Sequence, residues 1–396
     1  MRKDHYKSAV EETPFHRRTA AANHTNLWGR WAGFTTVSCY EEVEREYFAI
    51  RNAATLFDLS PMIKYKVTGP EAEAYLNRLV TRDISKLPVG RVAYCLWCDD
   101  EGKVLDDGTL FRLSQDDFRL CCQERNLPWL QDAAFGFDVD VEDISSQIAA
   151  LALQGPTSAS VLRALGVSEI DDLRPFNFTQ AFFAGGTLLI SRTGFTGDLG
   201  YELWVDPLLA EALWDRLMEV GAPLGLRPIG SQALDIVRLE AGFIVTNVDF
   251  VAANQAVRRN RGRSPFELGL GRLVDLKKGH FNGRRALLRD SKEGPKHNLV
   301  LLDIQGNKAA EGAIIYHRKS REVGHVTSAH WSPTCKTNLA FASLQAPYGS
   351  EITDDIWAQV YTLKELKWDK VMASCQIVPR PYFNSVRRQV TPPGDW

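Results

Sequence analysis

The sequence predicts an α+β fold followed by a separate β domain, and three observations carry that prediction. First, one grammar of strand, Gly-Pro pair and apolar-periodic helix occurs twice. Lys64 to Thr68 runs into Gly69-Pro70, and Ala149 to Gln154 runs into Gly155-Pro156, 86 positions later. Second, residues 91–122 alternate as an antiparallel meander does. Third, helical periodicity nearly vanishes past Pro295, where short strands and turns take over. At about 100–200 residues per domain, 396 residues suffice for two or three closed cores.

The elements follow in order. Tyr40 to Ala54 places Val43, Tyr47, Ile50 and Ala54 at helical spacing, and Glu41, Glu42, Glu44 and Glu46 lie near its start, where the helix dipole favours acids. After the strand at Lys64, Gly69-Pro70 opens a helix through Leu76 and Leu79, since proline tolerates a first helical turn. The meander has its first turn at Asp99-Asp-Glu-Gly102 and its second near Ser114-Gln-Asp-Asp117, with a third strand ending about Cys122. The uncharged run Ile144 to Leu162 carries Ser, Gln and Gly-Pro, so it reads as a buried strand, a turn and the next helix and not as a membrane span. Phe178 to Val205 reads as a hairpin turning at Gly185-Gly186, followed by a glycine-rich interruption at residues 193–200. Asp206-Pro207 caps a helix reaching Val220, and Gly221 is expected to end it in the left-handed conformation. The expected organisation is an α+β region over 1–294, made of two related halves with an antiparallel insert at about 60–145. A β domain over 295–388 and a loose polar tail over 389–396 complete it.

Composition narrows the function. A hydrophobic share of 44% with 24% charged residues excludes a disordered or fibrous chain. A net charge of −2 argues against a nucleic-acid partner, because neutralising phosphates normally leaves a basic excess. Seven cysteines without a regular spacing fit a reducing compartment. The charged start MRKDHYKSAVEETPFHRR has no apolar core of a signal peptide, so the expected location is cytoplasmic, away from any membrane.

Four constellations carry chemistry, each beside a plainer reading. Cys95-Leu-Trp-Cys98 has the spacing of a metal knuckle, but strand residues three apart face opposite sides and no second pair is suitably spaced, so buried structural thiols are favoured and no metal is expected. Asp106-Asp107 on a strand should turn one carboxylate inward and the other toward solvent. They are either turn acids of a hairpin or a carboxylate in a partly apolar cavity that takes a proton from a ligand nitrogen. Thr193-Gly-Phe-Thr-Gly-Asp-Leu-Gly200 brings glycines near Glu202. Such glycines either let backbone approach a planar ligand gripped by that carboxylate or serve a hairpin loop. Arg238 sits on a helix and either pairs with Glu240 or another acid, or contacts a ligand.

Taken in order, these segments resemble the aminomethyltransferase family, the glycine-cleavage T-protein and its relatives that move one-carbon units to or from tetrahydrofolate. The resemblance runs through Thr13-Pro-Phe-His, Phe57-Asp-Leu-Ser, Thr68-Gly-Pro, Gly102-Lys-Val-Leu-Asp-Asp, Leu153-Gln-Gly-Pro, Arg192-Thr-Gly-Phe-Thr-Gly, Arg238-Leu-Glu-Ala-Gly, Ser264-Pro-Phe-Glu, Gly324-His-Val-Thr-Ser and Val378-Pro379. It implies a T-protein-like folate-binding fold with ferredoxin-like antiparallel sheet units and a C-terminal β-barrel around a central hole. By position it implies Asp107 as the carboxylate facing the reactive pteridine nitrogens. It implies Glu202 as the acid gripping the pterin edge, with Arg238, Tyr382 and Met62 also at the cofactor, which is tetrahydrofolate.

Two segments depart from the glycine-cleavage pattern. Phe243 to Phe250 replaces a Tyr-Gly-Asn/His-Asp type segment, and Ser60-Pro-Met-Ile63 replaces Ser-His-Met-Gly. Both are expected on the donor side, so the leading expectation is a transferase that takes a methyl or methylene group from a small N-, O- or S-linked donor. Trp28, Trp31 and Trp97 are candidates for an aromatic donor pocket, against the commoner role of tryptophan in cores. The first rival is the glycine-cleavage aminomethyltransferase with a lipoylated carrier protein as partner, for which Arg258-Arg-Asn-Arg-Gly-Arg263 would be a docking patch. The second is a non-catalytic folate-binding factor for iron–sulfur assembly, disfavoured because residues 192–199 lack the cysteine of that group's motif.

Overall fold

The computed structural model describes residues 10–306 and 308–392. The charged amino-terminal nine residues and the last four of the predicted tail lie outside the described residues. Helix α1 (His16–Ala22), hairpin β1 (Leu27–Trp31) and β2 (Phe34–Cys39), helix α2 (Val43–Asn52) and strand β3 (Thr55–Asp58) come first. Next come β4 (Ile63–Thr68), α3 (Ala72–Leu79), β5 (Val92–Cys98), β6 (Val104–Arg112), β7 (Asp117–Cys122), α4 (Leu127–Ala133) and β8 (Asp140–Asp143). The pattern returns as β9 (Ala149–Gln154), α5 (Ser158–Leu165), β10 (Phe178–Phe183), β11 (Gly186–Ser191), β12 (Gly200–Val205) and α6 (Ala210–Gly221), then β13 (Arg227–Pro228) and α7 (Ser231–Glu240). Helix α8 (Arg284–Glu293) leads into β14 (His297–Ile304), β15 (Ile314–His317), β16 (Arg321–Ser332), β17 (Thr337–Gln345), β18 (Ile356–Lys364) and β19 (Lys367–Val378), which close a six-stranded barrel.

The repeated grammar is a repeated topology. One sheet has the order β5-β6-β7-β4-β8, the other β10-β11-β12-β9-β3-β13, so β4 and β9 hold equivalent places. The outer neighbour of β4 is β8, whereas that of β9 is β3, taken from earlier in the chain. Gly69 and Gly155 play one part in both halves. Each has positive φ (133° and 119°), and an added Cβ would lie 2.6 Å from Asp138 O or 2.4 Å from Ala53 O, the carbonyls just before β8 and β3. Only glycine lets strand, turn and neighbouring strand close there.

Two helix-side cores back the sheets. Tyr75, Leu76 and Leu79 of α3 pack with Trp97, Leu110 and Leu120, and Val161, Leu162, Leu213 and Leu217 pack with Leu151, Leu153 and Leu203. A third core, with Tyr47, Phe57, Phe111, Leu189 and Trp204, lies where the sheets face each other, and a fourth joins Leu96 and Val104 to Leu301, Leu339 and Phe341 of the barrel. Two local expectations are corrected. Gly221 is right-handed, at φ −85°, because the chain continues into a 3-10 turn over Ala222–Leu224, and Gly225 supplies the left-handed end at φ 76°. The tail is tied down as far as it is described, since Val390 N donates to Val386 O and Arg163 Nη2 reaches Pro392 O at 3.4 Å.

Candidate functional site

Strand alternation gives the five-stranded sheet one helix-covered face and one face toward the other sheet and the barrel. In register, Asp107 lies opposite Leu96 and Thr109 opposite both Tyr94 and Cys121, which puts these side chains on the central face. Tyr94, Asp107 and Thr109 are half-buried among strands that are otherwise closed off. Water therefore reaches this line of side chains.

Neither carboxylate of the pair points to bulk solvent, which corrects the expectation of one inward and one outward acid. Asp106 is fully buried and accepts from Glu124 N at 2.9 Å and Thr246 Oγ1 at 2.7 Å. Asp107 accepts from Tyr94 Oη at 2.6 Å and lies 3.1 Å from the same Thr246 hydroxyl. Helix covers one face and the second sheet and barrel stand over the other, so β-alternation leaves Asp106 fully buried and Asp107 half-buried. No cation pairs with them, and burial raises both carboxyls, Asp106 to about 8 with help from the neighbouring Asp107 charge.

Glu202 on β12 lies between Ser191 and Ala152 and faces the gap between the sheets. It accepts from Thr193 Oγ1 at 2.5 Å, with Ser191 Oγ at 3.5 Å, and has no cationic partner. Burial pushes it up to about 7. Arg119 stands close by on β7, two residues from Cys121, with its guanidinium 5.7 Å from the Trp204 ring centroid and its Nε and Nη1 buried without a partner. Glu202 and Arg119 both neighbour Trp204, the first two residues along β12 on the same face and the second by its guanidinium.

The glycines before Glu202 serve the loop itself. A Cβ at Gly194 or Gly200 would meet Gln154 Oε1 at 2.1 Å, because Gln154 is wrapped by this loop and bonds to Thr193 O, Tyr201 O and Thr196 Oγ1. The plain-hairpin reading holds for them. Arg238 is buried and pairs with Asp249 at 2.6 Å and Asp235 at 3.0 Å, with Phe243 O at 3.2 Å, while Glu240 takes Arg51 instead. Its reach into the centre is indirect, because Asp249 also accepts from Val245 N at 2.9 Å, the residue before Thr246.

Tyr382 packs half-buried on the same core as Tyr94, its hydroxyl 3.4 Å from Thr337 Oγ1, and Met62 packs against the inter-sheet core. Trp97 faces the helix-covered core and cannot line a donor pocket, Trp28 leans on His16 at 5.3 Å and Trp31 on Phe57 at 6.2 Å. Cys95 and Cys98 belong to opposite cores, and no group of three or more metal-ligating side chains exists among the described residues. In the basic run, Arg263 turns back on the carbonyls of Asn260, Arg261 and Gly262. No described helix is long and apolar enough to cross a membrane.

Tyr94, Thr246 and Arg119 are the site residues the sequence did not single out. Tyr94 was reachable in principle, from the register of the hairpin turning at residues 99–102. Thr246 lies 140 positions from Asp106, and no local pattern links them.

Residues 15–278 match the family described as GCVT N-terminal domain, and residues 297–383 match the glycine cleavage T-protein C-terminal barrel domain. An aminomethyltransferase of Thermotoga maritima is 32% identical over 365 residues, covering 91% of this chain and 95% of its own. A protein of Ruegeria pomeroyi named trimethylamine-oxide aldolase is 35% identical over 354 residues, 86% of this chain but 43% of its own. The crystal structure of the glycine cleavage system aminomethyltransferase T from Bartonella henselae shares the fold, with a TM-score of 0.83 at 24% identity over 97% of this chain and 100% of its own.

Proposed function

The chain belongs to the glycine cleavage T-protein family, and from that premise we propose that it is a tetrahydrofolate-dependent transferase taking a methyl or methylene group from a small N-, O- or S-linked donor. The observation that carries this reading is Asp107, a half-buried carboxylate served only by the Tyr94 and Thr246 hydroxyls. An acid so placed has acceptor capacity left for a ligand and a raised affinity for a proton.

The residues fit the cofactor in kind. A pterin edge offers parallel N–H donors beside a carbonyl, and the facing strands of the two sheets carry an acceptor in Glu202 and unpartnered donors in Arg119. Tyr382 and Met62 would close apolar sides, and Arg238 would act at one remove by holding Asp249 and so the segment carrying Thr246. Tetrahydrofolate supplies, when bound, the nucleophilic amines that accept the carbon. Asp107 orients the amine by accepting its proton-bearing edge and takes or returns a proton at its carboxyl oxygens, while Tyr94 and Thr246 fix its rotamer.

The donor is read from the chain's departures and from its relatives. Thr246 lies in the segment that departs from the glycine-cleavage pattern, and one relative bears the name of an enzyme of a small methylated amine oxide. The aminomethyltransferase names of other relatives favour the rival reading, with a lipoylated carrier as partner. Anaerobic calorimetry with tetrahydrofolate, with Glu202→Ala as control, tests the cofactor. Saturable binding weakened at least about tenfold in the variant is expected. No binding by folded wild-type protein would overturn the reading. Product detection with methylated amines, betaines and thioethers beside an aminomethylated lipoyl carrier then separates the two donors.

A further inference from the structure

We propose that the end of the β18–β19 ribbon is a self-association arm, whose outer face packs against the same face of a second copy of this chain in a two-fold pair.

Most of the ribbon belongs to the barrel, but its end does not. Strand β15 pairs with β18 only as far as Gln359, and β14 pairs with β19 only from Cys375 onward. Residues 361–370 pair within the ribbon alone, from Tyr361 with Lys370 to Lys364 with Lys367. Where the ribbon leaves the barrel its amphipathic pattern inverts. Inside the barrel, Ala358, Val360, Ala373 and Cys375 point into the core. Alternation therefore sets Tyr361 and Leu363, with their register partners Lys370 and Trp368, on the outer face. Beyond the barrel the other side turns polar with Thr362 and Asp369, and the outer side carries the large apolar groups.

The tip is built in the same sense. Leu366 is 93% exposed and Trp368 65%, with Tyr361 and Leu363 about half exposed. Glu365 and Leu366 both have positive φ, 46° and 66°. A two-residue turn with both central residues left-handed favours Asn-Gly, so glutamate and leucine there are strained. That strain is accepted where it lifts a leucine clear of the surface. A ribbon meant for water on both sides has no use for such a face, and a partner that covers it gives the strain and the exposure a reason.

Charge and area select a second copy as that partner. Lys364, Glu365, Lys367, Asp369 and Lys370 alternate in sign along the ribbon. A membrane or a nucleic acid calls for one sign, whereas mixed signs can complement themselves. Tyr361, Leu363, Leu366 and Trp368 expose roughly 600 Å² between them, at the top of what a monomer usually leaves uncovered. Two such faces together would cover about 1,200 Å², the lower end of a specific interface. Lys308, over the Trp368 ring at 5.1 Å, and Lys370 supply a polar rim.

Sedimentation velocity of the full chain from about 1 to about 200 µM tests this, and wild type is expected to move from 44.4 kDa toward twice that mass, half-converted near about 10 µM. Leu363→Thr/Trp368→Thr keeps strand-forming residues and should weaken the pair at least about tenfold, because each substitution acts twice in a two-fold interface. Leu366→Gly should weaken it as well, yet melt no lower than wild type at about 1 µM, since glycine relieves the left-handed turn. Thermal melts confirm that each variant is folded. Wild type that stays monomeric at about 200 µM overturns the proposal, as does unchanged association in the folded variants. Open-ended growth overturns it too, because a two-fold pair is closed. Monomeric wild type that sediments instead with phosphatidylglycerol vesicles overturns the second copy and gives the face to a membrane.

Discussion

Two sets of buried acids sit side by side in this molecule and are treated in opposite ways. Where the helix α7 region meets the barrel, Asp249 holds Arg238 at 2.6 Å and accepts from Thr327 and Ser328 of the barrel at 2.9 and 2.5 Å. Glu240 holds Arg51 and accepts from Ser332 at 2.5 Å, and Glu267 holds Lys103 at 3.0 Å and His297 at 3.1 Å. Around the site, Asp106, Asp107 and Glu202 hold no cation and accept from hydroxyls, backbone amides and, at Asp106, the Asn126 side-chain amide at 3.3 Å. The seam acids have their charge compensated, and Glu267 is held down to about 2. The central acids are uncompensated and raised toward neutrality. The first set joins the parts of the molecule, and the second is the set that the proposed function assigns to a ligand.

The comparison breaks first at the seam. Arg238→Met leaves Asp249 as a buried unpaired charge, and breaking such a pair costs about 3–5 kcal/mol. Urea unfolding should show a loss of that size, and Arg238→Met/Asp249→Asn should recover part of it. A single variant with near-wild-type stability would mean that the seam pair is not structural. The central face should respond differently. Asp107→Asn keeps shape and removes the proton acceptor, so stability should hold while transfer falls by at least about 10²-fold, near 2.7 kcal/mol. Full transfer activity in that variant would remove Asp107 from the role assigned to it.

Glu202 sharpens the contrast through pH. Its carboxyl is raised to about 7 in the folded protein from an ordinary 4.5, so the folded state binds the extra proton between those values. Its contribution to stability is complete below about pH 4.5 and is lost as pH rises through about 7. Glu202→Gln removes that loss, so the variant should gain on the order of 2–3 kcal/mol over wild type above pH 7 and little at pH 4.5. Thermal melts at the two pH values check this, and a gain of equal size at both would point to packing and not to charge.

What the sequence reveals of this arrangement follows from how locally each feature is written. The twin Gly-Pro turns are legible because strand, turn and helix are adjacent, and the same steric demand at Gly69 and Gly155 produces the same residues. The antiparallel meander is legible for the same reason, and so is the change to β structure after Pro295. Barrel closure through β14 and β19, and the loan of β3 to the second sheet, involve partners far apart in sequence that alternation alone cannot choose. The site divides in the same way. Motifs point to Asp107 and Glu202, but whether an acid has a cation depends on distant residues. Arg51 and Glu240 are 189 positions apart, and the sequence offers Glu240 equally to Arg238.

The smallest expected effect concerns a single hydrogen. Thr246 Oγ1 lies 2.7 Å from Asp106 and 3.1 Å from Asp107, yet a hydroxyl has one proton to donate. If both acids were ionised, one of these contacts would set lone pair against lone pair. A proton on Asp106 resolves the count, since Asp106 can then donate to Thr246, and Thr246 to Asp107. Burial and the Asp107 charge, which raise Asp106 to about 8, act in the same direction. Tyr94, Arg380 and Arg272 are the other ionisable groups facing this cluster from the strand and barrel sides, and Cys122 faces Asp106 from β7. Thr246→Val keeps the shape and removes the bridge, so Asp107, which loses a donor, should titrate higher, while Asp106 loses the acceptor of its proton. Carbon-13 spectra of labelled aspartate across pH 5–10 should show one buried carboxyl titrating near 8 in the wild type and at a shifted position in the variant. Transfer at neutral pH should drop about tenfold as Asp107 spends less time charged, and Thr246→Ser should restore both readings. If the buried carboxyl titrates at its wild-type position in Thr246→Val, the hydroxyl is a packing group, and the two acids divide their proton without it.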